Sequence, residues 1–376
     1  MPPQSTNWQQ SLKAFLHPRV VTMFFYGFSA GIPLLLIFSS LSLWLREAGV
    51  ERSTVTYFSW AALAYSFKFL WAPLIDRLPI PALTRWLGRR RAWLLVAQLT
   101  VAASIFSISL VDPSQPGALN LMAFAVVMLG FTAATQDIVI DAYRIESAGA
   151  ELQALMSSSY IAGYRIGMLT SGAGSLVLAS WLGSTSESYS YAAWQSTYAI
   201  MALTMLVGAV TTLIIREPDN PRPSSHQYTS GQYLKFLAIF VAGITAFVTV
   251  YVLTADSAGS LRQTLTEIVE NSALSGLVVE SLRLALAITI VAALIKALSL
   301  TPLYDRQLVR ESYLDPVKDF FQRYGSRLAL LLLVFVGFYR ISDIVLGVIS
   351  NVFFEDIGFT KNEIAGVVKT FGLFMT

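Results

Sequence analysis

The chain has 376 residues, of which 55% are hydrophobic and only 13% charged, and its mean hydropathy is +0.59. That leaves too little polar surface to cover a water-soluble globule, so the chain reads as an all-α polytopic membrane protein. It has no cysteine, which excludes disulfides, thiolate metal sites and cysteine nucleophiles, and its net charge of +3 reflects loop bias rather than a nucleic-acid surface.

Residues 1–19 form a polar tail with Lys13 and Arg19 as fixed cations, and the apolar run that follows is too long for a signal-peptide core. Spans are expected near Val20 to Leu45, Ser53 to Ala72, Trp93 to Val111, Leu119 to Tyr143, Leu152 to Leu182 and Ala192 to Ile215, each matching the ~20 residues that cross ~30 Å of hydrocarbon. Together they predict one six-helix bundle over residues 20–216. Between the second and third spans, Pro73-Leu74-Ile75-Asp76-Arg77 runs through Arg85 to Gly88-Arg89-Arg90-Arg91, placing five arginines between two apolar segments. Arginine at that density marks a cytoplasmic loop. Turn clusters close the joints at Asp112-Pro113-Ser114-Gln115-Pro116-Gly117 and at Glu217-Pro218-Asp219-Asn220-Pro221-Arg222-Pro223.

Residues 217–327 read as a linker holding two extra spans, near Tyr233 to Thr254 and Ala273 to Leu300, and a basic segment. In that segment Val317, Phe320, Phe321 and Tyr324 recur at helical spacing beside Lys318, Arg323 and Arg327, the pattern of a helix lying on a membrane surface. A further span runs from Leu328 to Phe354, so that residues 328–376 open a second bundle. With the N-terminus inside, the tail and inside loops hold about sixteen of the 26 Lys and Arg residues, against about four outside.

An internal echo supplies the architecture. Phe25-Tyr26-Gly27-Phe28 opens the first span and Phe335-Val336-Gly337-Phe338 the late one; the two end in Arg46-Glu47-Ala48-Gly49 and Glu355-Asp356-Ile357-Gly358. Parallel repeats of this kind relate the two halves of a major-facilitator transporter, with the substrate path between them. A second half as long as the first would run to roughly residue 525, so the sequence reads as a fragment that stops inside a span.

Ionisable groups inside spans are costly, which makes each one a functional candidate. Asp137 and Asp141 lie four apart on one helix face with Arg144 a turn beyond; they either share a coupling proton or, at Asp141, clamp the loop through an ion pair with Arg144. Gly163-Tyr164-Arg165-Ile166-Gly167 carries a lone arginine ~20 Å from the inside end, and its glycines invite another helix close. Arg165 either neutralises an aspartate of the fourth span or faces an anionic substrate. Arg340 and Asp343 pair with each other or serve the same path. Lys68 is expected to snorkel to the headgroups, and Lys369 lies in the last, cut span. Tyr26, Phe28 and Tyr65 suit stacking on sugar rings if they face a cavity, or packing if they do not. The only histidines, His17 and His226, lie outside the spans and no metal-ligand cluster appears, so an embedded enzyme fits poorly.

Several strings together resemble the AmpG muropeptide permeases: Gln136-Asp137-Ile138 with Asp141-Ala142, Gly163-Tyr164-Arg165-Ile166-Gly167-Met168, Phe69-Leu70-Trp71-Ala72-Pro73 to Asp76-Arg77, Asp315-Pro316 to Asp319-Phe320-Phe321, and Gly358-Phe359-Thr360 to Lys369-Thr370-Phe371-Gly372. The resemblance implies a symporter of the Gram-negative inner membrane that imports N-acetylglucosaminyl-1,6-anhydro-N-acetylmuramic acid, with or without its peptide, for wall recycling and β-lactamase induction. The proton gradient would drive it, with no cofactor. On that reading Arg165, Arg340 and Gln136 would meet the substrate together with the aromatic faces. Asp137, Asp141, Asp343 and Lys369 would couple protons, and Asp76, Arg77, Arg89 and Arg90 would latch one conformational state. Acetyl-coenzyme A, another large anion, is the rival substrate, although its phosphates ask for a denser set of cations.

Overall fold

In the computed structural model the described residues are 14–51, 54–55, 58, 65, 67–185, 187–218, 228–360, 363–364 and 366; the side chains of 230, 273, 340–352 and 355–356 fall outside the description. Among these residues every regular element is helical. Six helices are long and apolar enough to cross a membrane: Pro18–Glu47, Arg89–Ser109, Ala118–Ser147, Tyr191–Ile214, Gly231–Leu253 and Leu274–Leu298. Most of the expected second span, near Ser53 to Ala72, lies outside the described residues. The expected fifth is helical over Ala150–Trp181 and carries Gln153, three serines at 157–159 and Arg165.

The chain divides into two units, one of residues 1–223 and 331–376 and the other of 224–330. In the first, α1 (Pro18–Leu35) continues through a π-turn at Leu36–Ser40 into α2 (Leu41–Glu47). Two short helices, α3 (Ala72–Arg77) and α4 (Leu83–Leu87), form the hinge loop, and α5 (Arg89–Ser109) and α6 (Ala118–Ser147) follow. Then α7 (Ala150–Leu169) swells into a π-turn at Thr170–Gly174 before α8 (Ser175–Trp181), and α9 (Tyr191–Thr204) and α10 (Leu206–Ile214) complete the run. Pro33 sits inside α1 just before the first π-turn. A proline cannot donate to the i−4 carbonyl, and a wider turn is one way a helix absorbs that loss.

The tightest seam is between α1 and α7. A Cβ on Gly27 would meet the Tyr160 carbonyl oxygen at 2.0 Å and one on Gly163 the Phe24 oxygen at 1.9 Å; Gly31 and Gly167 are equally close to Tyr164 and Phe28. Two small-x-x-x-small pairs thus let the backbones touch, as the Gly163 and Gly167 spacing led us to expect. At the far end Trp44 stacks on Trp194, with rings 5.6 Å apart and 4° from parallel. The Trp194 indole N–H donates to Glu47 Oε2 at 2.7 Å, as does the Ser184 hydroxyl at 2.8 Å.

In the second unit, α11 (Ser230–Leu253) and α13 (Ser272–Leu298) are joined by α12 (Ala255–Val269), a helix absent from the sequence reading. Arg283 of α13 donates to the Tyr251 carbonyl at 2.7 Å and to Glu280 at 2.8 Å, and its guanidinium lies 4.5 Å over the Tyr251 ring. It therefore caps the last carbonyls of α11, where a cation opposes the negative end of the helix dipole. After α14 (Arg306–Val309) and a π-turn at Arg310–Leu314 come α15 (Asp315–Tyr324) and the long α16 (Ser326–Asp356).

Candidate functional site

Two polar regions stand out in the first unit. The first gathers at one end of the bundle, where α5 starts and α6 and α10 finish. Arg90 is almost wholly buried and grips Glu146 with two N–H groups, the Nε contact being 2.9 Å, while a third N–H reaches Asp76 at 2.7 Å. Arg89 approaches the same Glu146 at 3.8 Å. The Glu217 carboxylate accepts from the backbone N–H groups of Arg90 and Arg91, at 2.7 and 3.0 Å, and so caps the positive end of α5. Arg91 in turn donates to the carbonyls of Thr212 and Leu213 at the end of α10, at 2.9 and 2.8 Å. One arginine run therefore ties together the hinge loop, α5, α6 and α10.

Of the four latch candidates, Asp76, Arg89 and Arg90 meet in this cluster, and Arg77 closes α3 beside it in sequence. Their partners Glu146 and Glu217 escaped the sequence reading. The available signal was complementarity: each is an acid at the end of a span that finishes on the side where the arginine loop lies.

The second region lies deeper, along α6 and α7. Asp137 is ten residues from the end of α6, about 15 Å at 1.5 Å per residue, and its carboxylate stands 4.0 Å from the Lys68 ammonium. Lys68, expected to snorkel, has its side chain about a third exposed with this carboxylate in reach, and a nearby acid lowers the cost of a cation in a span. Asp141, one turn along, is about half exposed and pairs with Arg144 at 3.4 Å; Arg144 also donates to Ser157 at 2.6 Å. Tyr160 feels the field of Asp137 and Asp141, and of Tyr65 and Tyr164 as well. Its ring lies 5.9 Å from that of Tyr164. Arg165 is half-buried on the same helix, five residues from Tyr160.

Two expected substrate contacts are placed otherwise. Tyr26 is wholly buried: Thr212 gives its proton to Gln98 Oε1 at 2.7 Å and so takes the Tyr26 hydroxyl proton at 3.2 Å. Gln136 is also wholly buried and donates to Ser29 at 3.0 Å. Both join helices within the bundle, where a hydrogen-bonded polar group costs less than one left bare, and of the Gln136 amide only the nitrogen is so paired among the described residues. Phe28 is half-buried and Tyr65 buried. Arg340 and Asp343 belong to α16, but their side chains fall outside the description, and Lys369 lies outside the described residues.

At the opposite end Asp112 accepts from Ser114 and, at 2.8 Å, from Tyr189, whose oxygen accepts from the Trp44 indole. Burial would raise the Asp112 pKa, but these hydrogen bonds outweigh it and hold the carboxyl below its ordinary range. Tyr189 is pushed up by burial and by its bond to Asp112.

A helical chain of this hydropathy, with charge concentrated in one hinge loop and inside two spans, has the parts of a membrane carrier. Residues 20–375 match the family model described as Major Facilitator Superfamily. The chain belongs to that superfamily. A putative transporter AmpG 4 of Rickettsia conorii is 28% identical over 364 residues, covering 97% of this chain and 66% of the relative. The namesake from Rickettsia felis is 29% identical over the same length. The anhydromuropeptide permease of Escherichia coli K12 is 35% identical over 215 residues, 57% of this chain and 40% of that protein. The motif resemblance to AmpG permeases is thus matched by similarity along the chain, which spans less than two thirds of the length of these relatives. It is a multi-pass membrane protein of the major-facilitator class, similar along most of its length to transporters named AmpG.

Proposed function

We propose that the protein takes part in proton-coupled import of anhydromuropeptides across the bacterial inner membrane, with its N-terminus in the cytoplasm. The observation that carries the reading is the approach of Lys68 to Asp137 at 4.0 Å, one turn from Asp141 and near Tyr160, with Arg165 five residues further along the Tyr160 helix. The names of the relatives supply the substrate class. A muropeptide brings carboxylates and two sugar rings. Protonation of Asp137 cancels its attraction for Lys68 and frees that cation, with Arg165, for a substrate carboxylate. Release of the proton on the other side restores the pair and expels the anion. Coupling then needs no cofactor, because a single titrating carboxylate changes the number of cations offered to the substrate.

The arginine cluster would serve as the latch. It joins the hinge loop to three helix ends at the face where arginine predominates, and such a tie favours whichever state keeps those ends together.

The test is uptake of labelled anhydromuropeptide by energised vesicles carrying the chain, alone and in the longest form its reading frame encodes, with and without a protonophore. Asp137→Asn is expected to abolish accumulation against a gradient while leaving membrane insertion intact and exchange of substrate measurable. Near-normal accumulation by that variant removes Asp137 from coupling. Uptake blocked by acetyl-coenzyme A but not by unlabelled muropeptide sinks the substrate assignment.

A further inference from the structure

The segment Asp315–Tyr324 has no part in the reading above, and the second unit leaves one of its faces bare. Leu314, Val317 and Tyr324 are at least half exposed, while Phe320 and Phe321 are half-buried and pack edge to face, 5.8 Å apart. The distribution of charge around this helix decides what covers the face. At about 100° per residue, with Asp315 at zero, Phe320, Tyr324, Val317 and Phe321 fall at about 140°, 180°, 200° and 240°. They form a stripe about 100° wide. Arg323 at about 80° and Lys318 at about 300° each lie about 60° outside one edge of it. Asp319 at about 40°, Asp315 and Gln322 at about 340° occupy the opposite side. The cations thus border the apolar stripe on both flanks and the acids point away from it.

A protein partner has no reason to require that order, but a bilayer surface does. There the stripe enters the acyl boundary, long cationic side chains reach up to phosphates at its margins, and acids remain in water. The helix cannot span instead. Its ten residues rise about 15 Å, half of the ~30 Å core, and the whole run Arg306–Tyr324 carries Arg306, Arg310, Glu311, Asp315, Lys318, Asp319 and Arg323. The helix ends at Gly325, whose φ of +73° is a conformation that favours glycine, and so it is set off from the apolar helix that starts at Ser326. The Arg323–Asp319 pair, at 2.8 Å, is exposed on both sides, and such pairs exchange readily for another anion.

We infer that Asp315–Tyr324 is an interfacial helix that lies on the bilayer surface, its Val317–Phe320–Phe321–Tyr324 stripe immersed and its flanking Lys318 and Arg323 bound to lipid phosphates. The inference rests on the membrane placement and not on any substrate, so it stands or falls apart from the transport reading.

Because the chain has no cysteine, single cysteines can be spin-labelled without further change. Val317→Cys and Gln322→Cys, with Tyr324→Cys and Asp315→Cys as a second pair, would be reconstituted as full chains into vesicles of equal parts phosphatidylcholine and phosphatidylglycerol. Collision with oxygen, which favours the acyl region, would be compared with collision with a water-soluble nickel chelate. The expected ratio of oxygen to chelate accessibility is several-fold higher at 317 and 324 than at 322 and 315. Equal access of the chelate to all four labels would make the segment a solvated linker, and protection of all four from both reagents would make it a protein-packed helix; either overturns the inference. Immersion at 317 that is unchanged in the double variant Lys318→Gln with Arg323→Gln would overturn the roles of those two cations.

Discussion

Breaking the grip of Arg90 on Glu146 from either side should be costly, and removing both together should not. The two side chains are 5% and 3% exposed, so deletion of one strands the other without water to solvate it. Glu146→Gln keeps the shape of the acceptor but cancels its charge. Arg90 then retains only Asp76, which is about half exposed. Loss of one partner from a buried pair costs about 3–5 kcal/mol, and Arg90→Met should fall toward the lower end of that range, because it leaves the buried Glu146 with only Arg89, at 3.8 Å. If the effects were independent, the double variant Arg90→Met with Glu146→Leu would lose the sum, about 6–10 kcal/mol. Paired burial instead predicts a double variant about as stable as the parent, since an ion pair replaced whole by apolar groups is commonly neutral. The assay is denaturant unfolding in mixed micelles followed by circular dichroism, with midpoints compared only where the slope is unchanged. A double variant that loses the sum of the single losses would refute the pair. A stable double variant that no longer transports would separate the latch from mere structural support.

The remaining predictions concern the seam and the opposite end of the bundle. Gly163→Ala places a methyl 1.9 Å from the Phe24 carbonyl oxygen, and backbone cannot yield as a side chain does, so it should cost about 1–3 kcal/mol or more. Gly174→Ala, whose nearest neighbour stands at 3.9 Å, should be neutral or better in the same unfolding assay. The depressed pKa of Asp112 favours its carboxylate in the folded state, so this contribution is present above the ordinary carboxyl pKa of about 4 and is lost as pH falls through the lower folded value. Tyr189→Phe removes one of the bonds responsible and should flatten the acid limb of a stability-against-pH curve; an unaltered limb would assign the acid sensitivity to other carboxylates.

Much of the helical order could be read from the sequence because hydrocarbon thickness fixes span length and breakers fix the joints. The Gly163 and Gly167 contact was legible for a similar reason, since small residues four apart on an apolar helix serve close approach. What escaped was pairing across distance. Glu146 lies 56 residues from Arg90 and Glu217 126 residues from Arg91, and nothing local to either acid announces its partner. The approach of Lys68 to Asp137 was not legible either, because depth along a span says nothing of which residue of α6 a lysine on another segment faces. Tyr26 looked like a cavity aromatic because helical spacing gives a side chain's angle but not which neighbour fills that angle; Thr212, 186 residues away, does so. The π-turns were invisible for another reason. Each follows from how two helices fit, and the only local hint was Pro33 before the first.

Those π-turns bear on how the bundle can move. Leu36–Ser40 and Thr170–Gly174 lie side by side, and Ser40 Oγ bonds both Ser175 Oγ at 2.6 Å and the Ser171 carbonyl at 3.1 Å. On one side of them, four glycines close α1 on α7 backbone to backbone, a contact that transmits displacement rather than absorbing it, because neither helix has a side chain there to repack. On the other side, the contact passes to side chains: the Trp44–Trp194 stack and the bonds of Glu47. Wide turns tolerate bending better than regular ones, so strain along these helices concentrates at the serine-bridged level. The α1–α7 seam carries Tyr160, which lies within the field of Asp137, and Tyr164 beside it. If Asp137 does change charge in a transport cycle, a stiff α1–α7 pair with its compliant point at the π-turns would pass that change toward the tryptophan end. Ser40→Ala, which removes the bridge between the π-turns, should then alter uptake without moving the Lys68–Asp137 pair.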